Sequence, residues 1–315
     1  MRIHSKISRL NKTLDIVIPI YNDNPYLAET LTSIFKQQLP DGWRFHVYIV
    51  DDGSDIPVNL DIPKENTLDV SLVRLEINSG CSVARNKGAS AGNGGVILFL
   101  DADCALARVN VLALLLEQYS QGDDVCFGQI YAPQGDFWAK YQNDVAKERA
   151  VRFNGGEFSS MTTQVFMVKR QTFESVGGFD EAYHFGFEDR DLFISLIKSG
   201  AKVSLVEKAI VNHNDQLSLL SVTKKLNKTG AESSSRFIAK HSKCYEEMPY
   251  VRADIRYSKG CLRLLVWVTK PVLWTGISSL NWVIKKQVLP YWLLKRLVKY
   301  MSGLAYLHGT VLAVR

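Results

Sequence analysis

The chain is poor in the features that commit a sequence to an extracellular or membrane-spanning role. Its five cysteines, Cys81, Cys104, Cys126, Cys244 and Cys261, form no CxxC pair and no zinc-type spacing, and an odd number argues against a disulfide framework. A reducing compartment is the simpler expectation. Met1 to Thr13 is polar and basic without an apolar core, so no signal peptide is expected and the catalytic part should stay in the cytoplasm. Lys270-Pro271 and Lys285-Lys286 interrupt the C-terminal apolar runs, which leaves no stretch of the roughly 18–20 apolar residues that a span requires. Acids are missing altogether from Ile255 to Arg315, where ten Lys or Arg stand. The net charge of +6 therefore belongs to the tail, and residues 1–254 balance at about −4. There is no internal repeat.

What is present is enough for a substantial core. With 315 residues, 46% hydrophobic and 22% charged, the chain suits one large α/β domain with an appendage, or two modest domains. Leu14 to Ile20, Phe45 to Val50, Val70 to Leu75 and Val96 to Leu100 read as apolar strands. Between the first two, Asn24 is placed to cap a helix, Pro25 to open it, and Leu27, Leu31, Ile34 and Phe35 to line one face. Further helices are expected over Ser82 to Ala91, about Asn110 to Tyr119, and Glu188 to Ser199 ended by Gly200. Gln164 to Val168 and Ala201 to Val206 read as later strands. Such alternation predicts a mostly parallel sheet covered on both faces. Residues 131–160 lack a clear period and read as a substrate-facing excursion.

Chemistry concentrates at strand ends. The run Val96-Ile97-Leu98-Phe99-Leu100 stops at Asp101-Ala102-Asp103, which delivers two carboxylates to the sheet edge where open α/β sheets bind ligands. Hard oxygen donors there suit Mg²⁺ or Mn²⁺ carrying a diphosphate. A plain turn would also place Asp at a strand end. Four ordered segments then carry a resemblance: Val17-Ile18-Pro19-Ile20-Tyr21-Asn22, Val50-Asp51-Asp52-Gly53-Ser54, Asp101-Ala102-Asp103, and Gly177-Gly178-Phe179-Asp180-Glu181 leading to Phe187-Glu188-Asp189. Over about residues 14–215 the chain resembles the family 2 glycosyltransferases, inverting enzymes of GT-A fold that use nucleotide-sugar donors.

The resemblance implies roles for particular residues. Pro19, Tyr21, Asn22 and Asp52 would line the nucleoside pocket, with Asp101 and Ala102 beside the donor. Arg85, in Ser79-Gly80-Cys81-Ser82-Val83-Ala84-Arg85-Asn86, would face the donor phosphates from a helix start. Asp103 would bind Mn²⁺ or Mg²⁺ directly, Asp101 the ribose or the metal shell, and His213, which lies 24 residues beyond Asp189, would supply an imidazole ligand. Asp189 matches the general base, with Glu188 beside it for acceptor contact. Acids also favour any helix N-terminus, so capping is the competing account of Glu188-Asp189-Arg190-Asp191.

The tail carries its own expectation. Trp267, Trp274, Trp282 and Trp292 alternate with Lys270, Lys285, Lys286, Lys295, Arg296 and Lys299, a pattern suited to helices lying in the headgroup region of an anionic bilayer. A helical cap on the catalytic domain or on another subunit, and less readily a short spanning hairpin, are the alternatives. The organisation expected is a polar extension at 1–13, a catalytic domain at 14–245, and an amphipathic, monotopic region at 246–315 on the cytoplasmic face of the inner membrane. The function expected is transfer from a nucleotide-sugar, first a UDP-sugar, to a glycan or lipid-linked acceptor. Rival readings are a catalytically silent sugar-nucleotide-binding or scaffold protein and a nucleotidyltransferase. The latter usually carries a Gly-rich, Lys/Arg-bearing loop after its first strand, which Pro19-Ile20-Tyr21-Asn22 is not. A nucleic-acid partner is not expected, because the tail aromatics come with long aliphatic faces. Oligomerisation stays open.

Overall fold

The first strand is buried on both faces of the sheet. In β1 (Thr13–Ile20), Leu14, Ile16 and Ile18 bury on one face of the sheet and Val17 on the other. The structure, a computed structural model, describes residues 12–22, 25–60, 69–133, 135–157, 161–257 and 261–313. Most of the expected N-terminal extension, and Asn24 as a cap, lie outside the described residues. Helix α1 (Leu27–Phe35) starts two residues later than its sequence signals suggest, with Tyr26 at the cap and Pro25 outside the helix.

β2 (Arg44–Asp51), β3 (Val70–Arg74), α2 (Cys81–Ala91) and β4 (Val96–Leu100) follow. β5 (Cys104–Leu106), α3 (Val111–Ser120) and β6 (Val125–Tyr131) lead to α4 (Phe137–Asn154), β7 (Val165–Lys169), α5 (Arg170–Ser175), α6 (Glu188–Lys198) and β8 (Val203–His213). The eight strands pair in the order β3-β2-β1-β4-β7-β6-β8-β5. β3, β2, β1 and β4 are parallel, and so are β6 and β8, whereas β7 runs antiparallel between β4 and β6 and β5 antiparallel on β8. α1 and α3 pack on one face through Leu31, Ile34, Leu112, Leu115 and Leu116. α2 and α6 cover the other through Ala84, Ala89, Leu192, Phe193 and Leu196. Because β1 has β2 on one side and β4 on the other, a crevice opens at their C-terminal ends. One acid enters this apolar layer: Asp15 is buried and held by Arg170 at 2.7 Å and the Gly94 amide at 2.6 Å.

The segment expected to be an irregular excursion is largely α4, a helix of 18 residues. It buries only Phe137, Trp138, Ala139 and Phe153, so no apolar stripe runs along it to betray a period of 3.6. The Asp136 side chain caps it by accepting from the Ala139 amide at 2.8 Å.

α7 (Leu219–Lys228) continues through a π-turn at Thr229–Ser233 into α8 (Ser234–Glu246), and the tail forms α9 (Cys261–Thr269), α10 (Leu273–Lys286) and α11 (Tyr291–Leu312). Leu273, Ile277, Ile284, Leu294, Val298 and Leu307 close a core with Phe137, Trp138 and Leu219, so the tail's inward faces form a helical cap on the rest of the chain. Its outward faces keep Trp267 at 75%, Trp282 at 60% and Trp292 at 58% exposure. No described helix is long and apolar enough to cross a membrane.

α11 meets α7 and the π-turn backbone to backbone. A Cβ on Gly309 would fall 2.1 Å from the Asn227 carbonyl oxygen, and one on Gly230 2.6 Å from that of Tyr306. Gly309→Ala is therefore expected to destabilise the fold by about 2–3 kcal/mol through overpacking. The measurement is thermal unfolding, and an unchanged Tm would show that α11 does not sit on α7.

Candidate active site

The two acids after β4 leave the strand on a fixed turn. The Cys104 amide donates to the Asp101 carbonyl at 3.0 Å, and the buried Thr30 hydroxyl of α1 donates to the Ala102 carbonyl at 2.9 Å. Asp103 is then set against the end of β8, where the Asn214 amide donates to its carbonyl at 2.9 Å. His213 Nε2 lies 3.5 Å from Asp103 Oδ2. The other ring nitrogen, Nδ1, lies 2.6 Å from Gln142 Oε1 on α4. An amide oxygen only accepts, so Nδ1 carries a proton and Nε2 is the nitrogen offered to the site. Burial alone would lower the His213 pKa, but Asp103, backed by Asp101 and Asp215, raises it overall. Asp103 moves the opposite way: burial disfavours its charge, and His213 more than compensates, so its pKa falls. The pair is a place built for positive charge.

Arg85 joins this edge to the next element. Its side chain is buried, its Nη2 donates to Asp101 Oδ1 at 3.0 Å, and its Nη1 stands 3.9 Å from Glu188 Oε1. The guanidinium also rests over the Phe179 ring at 5.3 Å, which explains physically why Phe179 belongs to the same sequence pattern. Arg85 Nε and Nη1 and Glu188 Oε2 are buried with no hydrogen-bond partner. Burial, then the neighbouring Asp189, push the Glu188 pKa up, and Arg85 opposes both. Asp101 gives Oδ1 to Arg85, and the clustered ligand atoms are those of Asp103, Cys104 and His213. Arg85→Met would leave a buried carboxylate uncompensated, and a loss on the order of 3 kcal/mol in stability is expected. Chemical denaturation measures it; a variant within about 0.5 kcal/mol of wild type would show that the bridge is not formed.

Asp189 is the next residue on α6. Its Oδ1 accepts its neighbour's Arg190 amide at 2.8 Å. It also lies near Arg149 of α4, a half-buried residue whose pKa is lowered by desolvation and held up against that by Asp189. The third acid, Asp191, is buried and bound to His241 and Lys240, each at 2.7 Å. It is a structural anchor for α8.

The nucleoside side is more mixed. Pro19, Tyr21, Asp52, Arg85, Asp101, Ala102 and Asp103 line one cleft of about 540 Å³, with Gly80, Cys81, His184 and Lys228. Tyr21 is exposed there and free to stack. Asp52 is buried, and its two oxygens accept the Ser79 and Gly80 amides at 2.8 and 2.9 Å, so it shapes the loop ahead of α2. Burial raises its pKa against those bonds. Asn22 does not line this cleft. Its side chain accepts the Asp55 amide at 3.1 Å and its own amide donates to Ser54 at 2.7 Å. It ties two loops together and borders a separate apolar hollow.

Three further residues were not singled out from the sequence. Cys81 donates to Glu188 at 3.4 Å, Gln142 fixes His213, and Cys104 Sγ lies within 4.8 Å of ligand atoms of Asp103 and His213. Position 104 follows Asp103 directly, a signal that could have been read; Gln142 lies on a helix without a period and carried none.

Strand-end acids line a donor-sized cleft, and Arg85 joins one of them to a carboxylate at the start of α6, while His213 borders a separate hollow with Gln142. Residues 15–177 match glycosyl transferase family 2, and residues 153–216 match the family described as N-terminal domain of galactosyltransferase. The chain belongs to glycosyl transferase family 2. Among similar proteins is an N-acetylglucosaminyltransferase of Bradyrhizobium diazoefficiens, 28% identical over 214 residues, 62% of this chain and 44% of the relative. The amylovoran biosynthesis glycosyltransferase AmsB of Erwinia amylovora is 26% identical, over 64% of this chain and 69% of its own. The chain spans less than half the length of the N-acetylglucosaminyltransferase. A solved structure, the mannosyltransferase PcManGT from Pyrobaculum calidifontis in complex with GDP-Man and Mn²⁺, superposes with a TM-score of 0.59 at 16% identity, covering 94% of this chain and 86% of that one. This family 2 chain therefore has the GT-A fold, an α/β architecture with a mostly parallel sheet flanked by helices.

Proposed function

We propose that this family 2 chain is an inverting glycosyltransferase that moves a hexosyl group from a nucleotide-sugar to a hydroxyl of a glycan or lipid-linked acceptor. The observation that carries the reading is the Arg85 bridge, because a guanidinium that lines the cleft ties the carboxylate after β4 to the carboxylate that opens α6. Tyr21 would take the base, and Asp103 with the Nε2 of His213 would hold Mn²⁺ or Mg²⁺. Their donor set, one carboxylate oxygen and one imidazole nitrogen fixed from behind by Gln142, fits such an ion. When bound, the ion supplies positive charge against the leaving diphosphate. Asp189 removes the acceptor proton as the hydroxyl attacks the anomeric carbon, in a single displacement that inverts it. Glu188, held by Arg85 and Cys81, orients the sugar or the acceptor.

The acceptor's location follows from the tail. Its outward Trp267, Trp282 and Trp292, set among lysines and arginines and no acids, suit the headgroups of an anionic bilayer, which would place the enzyme peripherally on a cytoplasmic membrane face. Two experiments test the reading. Purified protein with Mn²⁺ is given a donor panel that includes UDP-sugars and GDP-mannose; nucleotide release from one donor supports transfer, and release from none, without any thermal shift, refutes it. Flotation with anionic and with zwitterionic vesicles tests the tail; recovery with neither refutes the membrane partner.

A further inference from the structure

The hollow beside His213 is built where the start of α4, the chain leaving β8 and the end of α10 meet, and it holds about 340 Å³. Each of the three contributes one glutamine to the lining: Gln142 from α4, Gln216 after β8 and Gln287 after α10. Gln142 spends its side-chain oxygen on His213. Its NH₂ group, and the side chains of Gln216 and Gln287, have no hydrogen-bond partner among the described residues. Phe137, Trp138 and Ile284 supply the apolar part of the lining. Its charges, Asp136 and Asp215 against Lys285 and His213, leave no excess of positive charge to hold a phosphate or a uronate. An apolar wall set with a few neutral groups that both donate and accept is the chemistry that holds a hydroxyl-bearing ring.

We propose that this hollow is a subsite for an uncharged sugar of the acceptor, set back from the hydroxyl that reacts, so that the enzyme extends an oligosaccharide chain and not a single sugar. This rests on the transfer reading above, with Asp189 as the base. Gln142 and Arg149 are seven residues apart on α4, which returns them to one helix face and separates them by about 10 Å, roughly two sugar rings. Arg149 lies near Asp189 and Gln142 lines the hollow, so that face of α4 runs from the base to the hollow. A chain whose end hydroxyl sits at Asp189 therefore reaches the hollow with a ring further along. Lys285 and Gln287 belong to the tail, outside the family-matched residues, so the docked tail completes this wall.

The test uses the full chain labelled with fluorotryptophan and read by fluorine NMR, the Trp138 resonance being the one that disappears in Trp138→Phe. The probes are neutral oligomers of glucose, galactose, mannose and N-acetylglucosamine, from one sugar to four, with oligogalacturonides as the charged comparison. Binding of UDP and GDP is followed by thermal shift on the same preparation. One neutral series is expected to move the Trp138 resonance saturably, its trimer binding about tenfold or more tighter than its monomer. Gln216→Trp, which fills the hollow from an exposed position, should weaken that trimer by about tenfold or more while the nucleotide shift stays as in wild type. Should that variant fail to fold, Gln216→Ala decides, with a loss of about fivefold expected for one hydrogen-bonding group. A Trp138 resonance that no neutral oligomer moves, an equal response to the oligogalacturonides, or trimer binding untouched by both Gln216 variants would each overturn the subsite, and a retained nucleotide shift would leave the transfer reading standing. Absence of any nucleotide shift would overturn that reading and the subsite with it.

Discussion

Asp189→Asn is expected to lower kcat by about 10²–10⁴-fold while nucleotide binding, followed by thermal shift, stays at the wild-type level. The amide keeps the shape of the carboxylate but cannot accept the acceptor's proton, so the loss falls on the chemical step. That range corresponds to about 2.7–5.5 kcal/mol of barrier. If Asp189 were only a helix-terminal acid, its removal would cost about 0.3–1 kcal/mol of stability through the macrodipole and nothing in turnover. Steady-state kinetics and Tm on the same preparation separate the two. Glu188→Gln provides the comparison: its position against Arg85 and Cys81 predicts a larger effect on KM than that of Asp189→Asn. Near-normal turnover by Asp189→Asn, with Glu188→Gln inactive, would transfer the base to Glu188.

The second large effect is expected at the cation edge. Asp103→Asn should make nucleotide affinity insensitive to Mn²⁺ and reduce transfer by about 10³-fold. Its carboxylate supplies the negative charge of the pair, and without it His213 loses the partner that raises its pKa. Burial would then favour the neutral ring, so the variant's His213 should titrate lower than in wild type, a shift that histidine NMR reads directly. His213→Ala should be milder, since the carboxylate remains. Mn²⁺-dependent binding that survives in Asp103→Asn would remove this edge from the mechanism.

The candidate site was legible to the extent that it was written in short consecutive segments. Asp101, Asp103, Glu188 and Asp189 could be named because each terminates a strand or opens a helix whose apolar run is visible, and such ends meet at one edge of a parallel sheet. Asn22 shows the limit of that reasoning. It lies in the same segment as Pro19 and Tyr21, yet its side chain is spent on the Asp55 amide. Polar residues at loop starts satisfy backbone groups as readily as ligands. Asp52 does both kinds of work in position only, since two amides already occupy its oxygens. α4 was missed because a helix buried only near its ends carries no periodic stripe, and with it went Gln142, the residue that orients His213.

The sequence by itself determined the layered α/β core, the family, the acids at the strand and helix ends, and a tail with two faces and one sign of charge. These are properties of local pattern, since period and punctuation act over a few residues. Only the tertiary structure decided that Arg85 spans Asp101 and Glu188, that Cys104 opposes His213 across a strand pair, and that the tail's inner faces close a core with α4 and α7. Those contacts join residues tens to hundreds of positions apart, and their geometry is fixed by strand register and helix packing.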